Sequence, residues 1–189
     1  MADTAVDVVY GIDYILFGAK PANGAFPAIG ASGAGVHRVT HIKMTSYAYS
    51  KEDDQTTDIN CEDLNEVFMT LDGEKGKTTI AFESYNFSED TKAFFLGYEK
   101  VEGEDAWIKI PGYQIPELYM EVGTRKVQDY PAKVYQYLPV KVKATDATTL
   151  TKEDLAAISF EVTLLANVDS QGNELGNVKI TKVTEPVAG

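Results

Sequence analysis

One cysteine, Cys61, in 189 residues leaves no partner for an intrachain disulfide and too few thiolates for a structural zinc site. Histidine is nearly as scarce, with His37 and His41 alone. Four residues apart on an extended chain, they stand about 13 Å from one another at ~3.3 Å per residue, too far to share a metal whose ligand bonds are near 2 Å. Cations are the third shortage. Lys and Arg number 17 against 29 Asp and Glu, a net charge of −12, and such a surface offers little to displace the counterions of DNA. No apolar run approaches the roughly 18–20 residues that cross a bilayer, and the stretch from Val8 to Phe17 is broken by Gly11 and Asp13, unlike the core of a signal peptide. The expectation is a chain without membrane insertion or sequence-specific nucleic-acid contacts, resting on its own core.

What is present is enough for that core: 44% of residues are hydrophobic and 11% aromatic, well outside the composition of disordered chains. The arrangement has period two. From Ala132 to Ala144 the even positions Ala132, Val134, Gln136, Leu138, Val140, Val142 and Ala144 alternate with Lys133, Tyr135, Tyr137, Pro139, Lys141 and Lys143. This predicts a strand burying its even face, with an edge or a bulge at Pro139. Similar alternation in Ile158–Leu164, Leu118–Val122, Ile80–Phe82 and Val178–Ile180, with strand-like runs at Val6–Phe17 and Val36–Tyr49, makes at least seven strands.

Helical signals are short. Ser88 as N-cap, Glu89 and Asp90 at the positive end of the helix dipole, and Gly97 as a left-handed stop predict a helix over 89–96. Thr151 with Asp154 opens a second of one or two turns, reaching about Ala157. Crossover helices are missing, so the fold class is mainly β: an antiparallel β-sandwich or barrel with one or two short flanking helices, in a single domain over 1–189.

Two segments stand apart. The loop 17–36 holds five Gly, six Ala, two Pro and one charge, Lys20, and its large apolar side chains are Phe17, Phe26, Ile29 and Val36. Such a segment does not stay solvated: either it folds onto its own domain or a neighbouring subunit covers it. Charge is also uneven: residues 1–49 are neutral, 50–106 carry −11, and 107–189 carry −1. Glu52, Asp53, Asp54, Asp58, Glu62, Asp63 and Glu66 mark either a solvated face or a surface that repels anions.

Motifs of catalysis are thin. The Gly30–Gly33 stretch lacks the last glycine of a nucleophile elbow, Ala34 standing in its place. Asp169-Ser170-Gln171-Gly172 is a turn and not a calcium loop. Paired acids of the glycosidase kind leave no fixed spacing. Tyr135 and Tyr137, on one strand face, suit either a sugar-stacking platform or a protein interface. The expectation is a non-enzymatic protein without a cofactor.

A Gly-containing first strand, the apolar loop and a long strand pair are followed by Thr78-Thr79-Ile80-Ala81-Phe82-Glu83-Ser84-Tyr85-Asn86-Phe87-Ser88 and a short helix ending Phe94-Phe95-Leu96-Gly97. Then comes Leu150-Thr151-Lys152-Glu153-Asp154-Leu155, leading to Ile158-Ser159-Phe160-Glu161-Val162-Thr163. This layout resembles the major tail tube proteins of tailed bacteriophages, relatives of type VI secretion and contractile injection tubes. The resemblance implies a virion structural protein, assembled in the host cytoplasm into hexameric rings. The rings stack into a tail tube that contacts other tail proteins and passes double-stranded DNA without sequence-specific binding. On that reading Phe17, Phe26, Ile29, Val36, Tyr135 and Tyr137 meet a neighbouring subunit, and the acids face the channel or the outer surface. Rival readings are a carbohydrate- or protein-binding β-sandwich module and a capsid decoration protein.

Overall fold

The structure, a computed structural model, describes residues 10–33, 35–60, 67–128, 130–147 and 155–183. Its strands in chain order are β1 (Tyr10–Ala19), β2 (His37–Val39), β3 (Ala48–Lys51), β4 (Thr56–Asn60), β5 (Val67–Asp72) and β6 (Thr78–Ser84). After helix α1 (Glu89–Leu96) come β7 (Tyr98–Lys100), β8 (Trp107–Lys109), β9 (Leu118–Arg125), β10 (Ala132–Ala147), β11 (Ala157–Leu164), β12 (Asn167–Val168), β13 (Glu174–Leu175) and β14 (Val178–Val183). The protein is mainly β and antiparallel, with one helix among the described residues.

The main sheet runs β2-β1-β9-β10-β11-β6-β3, and β14 joins the free side of β10 over Ala132–Tyr137. It curls towards closure. The chain just after β2 reaches β6, with Lys43 N donating to Glu83 O at 2.8 Å, Tyr85 N to His41 O at 3.1 Å, and an antiparallel bridge between Ile42 and Ser84. Inside lie Ile15, Phe17, Phe82, Met120, Val140, Ile158 and Phe160, all but excluded from solvent. Phe95 of α1 meets Phe17 and Phe160 edge-on at 5.2 Å each, so the helix closes the core with an aromatic plug.

The helix has the predicted bounds because its signals are local. Ser88 Oγ accepts from Thr91 N at 3.3 Å, and Gly97 takes φ 67° beyond the last turn. Tyr113 lies against Gly97 so closely that a Cβ there would stand 2.5 Å from its ring. The second predicted helix falls partly outside the described residues. Its described end is not helical: Leu155 and Ala156 are irregular, and Ala157 already begins β11.

Two strand expectations need correction. The Val36–Tyr49 run is two strands, β2 and β3, because His41 and Thr45 take φ of 54° and 64° and turn the chain between them. In β10 the register shifts against β9 between Tyr137 and Val140, a bulge around Pro139 in an interior strand rather than at an edge. The bulge exchanges the faces. Beyond it the even residues Val140 and Val142 enter the main core as expected, but before it Tyr137 does, with Tyr135 packed against that core. Leu138 and Gln136 point to the opposite side.

That opposite side carries a second, smaller core of Tyr14, Leu16, Tyr119 and Leu138, against which Phe26 and Val36 pack. β1 is therefore buried on both faces from Tyr14 to Gly18. The Gly/Ala-rich loop supplies the second cover, from its own chain.

Candidate functional site

Beneath the loop sits a buried carboxylate. Glu121, fully excluded from solvent, projects from β9 on the same face as Tyr119, two residues before it. Its Oε1 accepts from Tyr14 Oη at 2.7 Å and from Gly30 N at 2.9 Å. Its Oε2 accepts from the Tyr119 hydroxyl and from Gln136 Nε2 at 3.2 Å. Gln136 Nε2 also donates to Pro27 O at 3.1 Å, so two loop residues are tied to one polar cluster. Asn167 Nδ2 adds a bond to Gly24 O at 3.0 Å. Burial first, then the bond to Glu121, pushes the Tyr14 and Tyr119 phenols well above their ordinary range. The arrangement holds the loop down over the cluster.

Open volume lies elsewhere, on the side of the sheet where β14 and the β2–β3 connection leave a gap. A cavity of about 770 Å³ is lined by Tyr47, Tyr49, Tyr135, Tyr137, Val178 and Ile180, among others. Tyr47 and Tyr137 both line this cavity, and burial raises both phenols above their ordinary range. Lys43 and Arg125 contribute charge to the lining. Lys43 pairs with Glu83 at 3.1 Å and Arg125 with Asp13 at 3.8 Å. The rim is apolar and wet: Met44, Tyr49, Val178 and Ile180 are all exposed. Such a site takes an apolar group with a few polar contacts at its edge.

A third feature is the β4–β5 hairpin, which continues the β3–β6 pair outward through Glu52 N to Lys77 O at 3.0 Å, Gln55 N to Glu74 O at 2.9 Å and Gly73 N to Gln55 O at 2.7 Å. It carries or adjoins the acidic candidates Glu52, Asp53, Asp54 and Asp58, all exposed. Asp54 Oδ1 accepts from Gly76 N at 2.8 Å, and Asp58 Oδ1 from Thr70 Oγ1 at 2.7 Å. Glu62, Asp63 and Glu66, together with Cys61, lie outside the described residues. The opposite face of the hairpin is apolar and exposed, through Ile59, Met69 and Leu71.

The expected interface residues divide. Phe17 is wholly inside the core, and Tyr137, nearly as buried, reaches the wall of the cavity. Phe26 and Val36 pack on their own second core, and Ile29 is half-buried in the same loop. Tyr135, also half-buried, reaches the cavity wall. The two histidines are separated in role as well as distance: His37 stacks on Phe94 at 3.6 Å and bonds Asp90 at 2.9 Å, while His41 Nδ1 meets Thr40 Oγ1 at 2.9 Å. Among the described residues no group of His, Cys, Asp and Glu is placed to hold a metal, and no helix is long and apolar enough to cross a membrane.

No protein-family model matches the chain, and no curated protein matches it.

Sequence reasoning missed Glu121 and the cavity. The first had a signal: a single acid inside the apolar run Leu118-Tyr119-Met120-Glu121-Val122 must be compensated when both faces of its strand are covered. The second is assembled from segments far apart in the chain: Tyr135 and Tyr137 were the part of it that the sequence marked, and the residues that complete it left no signal.

Proposed function

We propose that the chain is a self-assembling structural subunit of the tail-tube kind. Its copies form stacked rings, hexameric by analogy, in a phage tail, and the tube conducts DNA without binding it. The observation that carries this reading is the β4–β5 hairpin, a two-stranded ribbon whose apolar side chains Ile59, Met69 and Leu71 are partly exposed on one face. A two-stranded ribbon running out beyond its sheet, with no third strand among the described residues, gives such a face little cover of its own. A neighbouring copy gives it cover, as it would the outer edges of β3 and β14, each paired along one side among the described residues.

The Gly/Ala-rich loop does not carry the proposal, because it covers its own body. The acids around the hairpin suit a tube wall that phosphate does not adhere to. Negative-stain electron microscopy of the concentrated protein tests the reading: annular particles or tubes are expected, and a field of monomers at every concentration overturns it.

The tyrosine-lined cavity supports a second reading, a binding module for a sugar or other amphipathic ligand. Calorimetric titration with a panel of neutral and acidic oligosaccharides decides it: saturable heat supports the module, and flat isotherms at millimolar ligand dispose of it.

A further inference from the structure

We infer that the apolar face of the β4–β5 hairpin of one copy seats in the tyrosine-lined cavity of a second copy, an inference that rests on the self-assembly reading above. Register defines the hairpin's two faces. Thr57 lies opposite Leu71 and Ile59 opposite Met69, which puts the three large apolar side chains on one side. Thr56 opposite Asp72 and Asp58 opposite Thr70 make the other side polar. Ile59, Met69 and Leu71 remain 38%, 47% and 46% exposed, and no strand outside the pair hydrogen-bonds to the hairpin among the described residues.

The cavity presents the matching deficit. Its floor of Ile12, Val122 and Tyr135 and its rim of Tyr49, Val178 and Ile180 are apolar, with Ile180 58% exposed. About 770 Å³ accommodates a small cluster of aliphatic side chains, as it would an organic ligand of moderate size. Hairpin and cavity share no lining residue. A contact between two different patches is heterologous, and repeated it closes a ring or continues as a filament.

Charge selects this pairing over a hairpin-to-hairpin one. The hairpin and its stem hold Glu52, Asp53, Asp54, Asp58, Asp72 and Glu74 against Lys51, Lys75 and Lys77. Two such ribbons repel. The cavity lining carries Lys43 and Arg125 and no acid, the partners Glu83 and Asp13 standing outside it. An acidic ribbon approaching this lining finds cations to meet its carboxylates.

The test uses the full chain in a Cys61→Ser background. Copies carrying Met69→Cys are mixed with copies carrying Ile180→Cys and oxidised, while assembly of Met69→Asp and Ile180→Asp is followed by sedimentation. A disulfide-linked dimer of one copy of each kind is expected. Each aspartate variant should also raise the concentration for half-assembly by about tenfold or more, with the circular dichroism of the parent. Met69→Ser and Ile180→Ser replace any aspartate variant that fails to fold. Normal assembly of both variants without a mixed dimer overturns the docking and leaves self-assembly standing. A wild type that never assembles overturns both. A double variant that closes its disulfide within one dilute chain places the hairpin on its own cavity and overturns docking between copies.

Discussion

Replacing Glu121 tests whether the loop is held by the polar cluster beneath it. Glu121→Leu removes an acceptor that receives Tyr14 Oη, Tyr119 Oη, Gly30 N and Gln136 Nε2. Gln136 Nε2 keeps Pro27 O and the Tyr119 hydroxyl, at 3.1 and 2.7 Å, so three donors are left to find new partners. At roughly 1–3 kcal/mol for a buried donor left unsatisfied, and with part of that recovered by relaxation and by the apolar leucine, the net loss is about 3–4 kcal/mol. In a domain of this size that is a fall in Tm of about 6–16 °C. Glu121→Gln keeps one carbonyl acceptor but turns an amide N–H₂ towards hydroxyls that must reorient, and should lose about 1–2 kcal/mol. Urea denaturation gives the energies. Limited proteolysis with thermolysin, which cleaves before large apolar residues such as Phe26 and Ile29, reports the loop: cleavage between residues 24 and 30 should speed up in Glu121→Leu more than cleavage elsewhere. A leucine variant within about 0.5 kcal/mol of wild type, with unchanged loop cleavage, would refute the reasoning.

Other outcomes follow from the same contacts. Tyr14, Tyr119 and Tyr137 have phenols raised by burial, so the unfolded chain loses these protons first as pH rises past about 10. Stability is then complete below that pH and declines above it, by about 1.4 kcal/mol per pH unit for each tyrosine still protonated in the fold. Denaturation at pH 8, 10 and 11, with phenolate absorbance, checks the slope, and a flat profile to pH 11 contradicts it. Gly97→Ala places a Cβ 2.5 Å from the Tyr113 ring at a φ of 67° and should destabilise by about 1–3 kcal/mol in urea titrations. Ser88→Ala removes the cap on Thr91 N and should lose about 1 kcal/mol, read the same way. Phe26→Ala uncovers part of the second core and should lose about 1–2 kcal/mol in the monomer, so that any loss of assembly runs parallel to a loss of folding.

What the sequence disclosed was what short-range physics decides. The helix needed only Ser88, its two acids and Gly97, all within ten residues, and the strand class followed from alternation. The faces of β10 were harder. Pro139 announced a bulge, but a bulge moves every preceding side chain to the other side, and nothing local says on which side of it the expected parity survives. His41 and Thr45 break the Val36–Tyr49 run at positive φ, a conformation that a histidine or threonine does not advertise as glycine does. The loop's need for cover was legible in its composition. Its cover was legible too, in the continuous run Tyr14-Ile15-Leu16-Phe17, which describes a strand buried on both faces rather than one. The exposed apolar face of the hairpin emerges only when β4 and β5 are paired, because the residues that share it come from both strands.

Sedimentation velocity of the wild-type chain over a wide concentration series probes the central claim most directly. A sedimentation coefficient that climbs with concentration towards a discrete ring or a tube is the predicted result. One invariant monomer boundary, at concentrations well above those reached in an assembling particle, would contradict it.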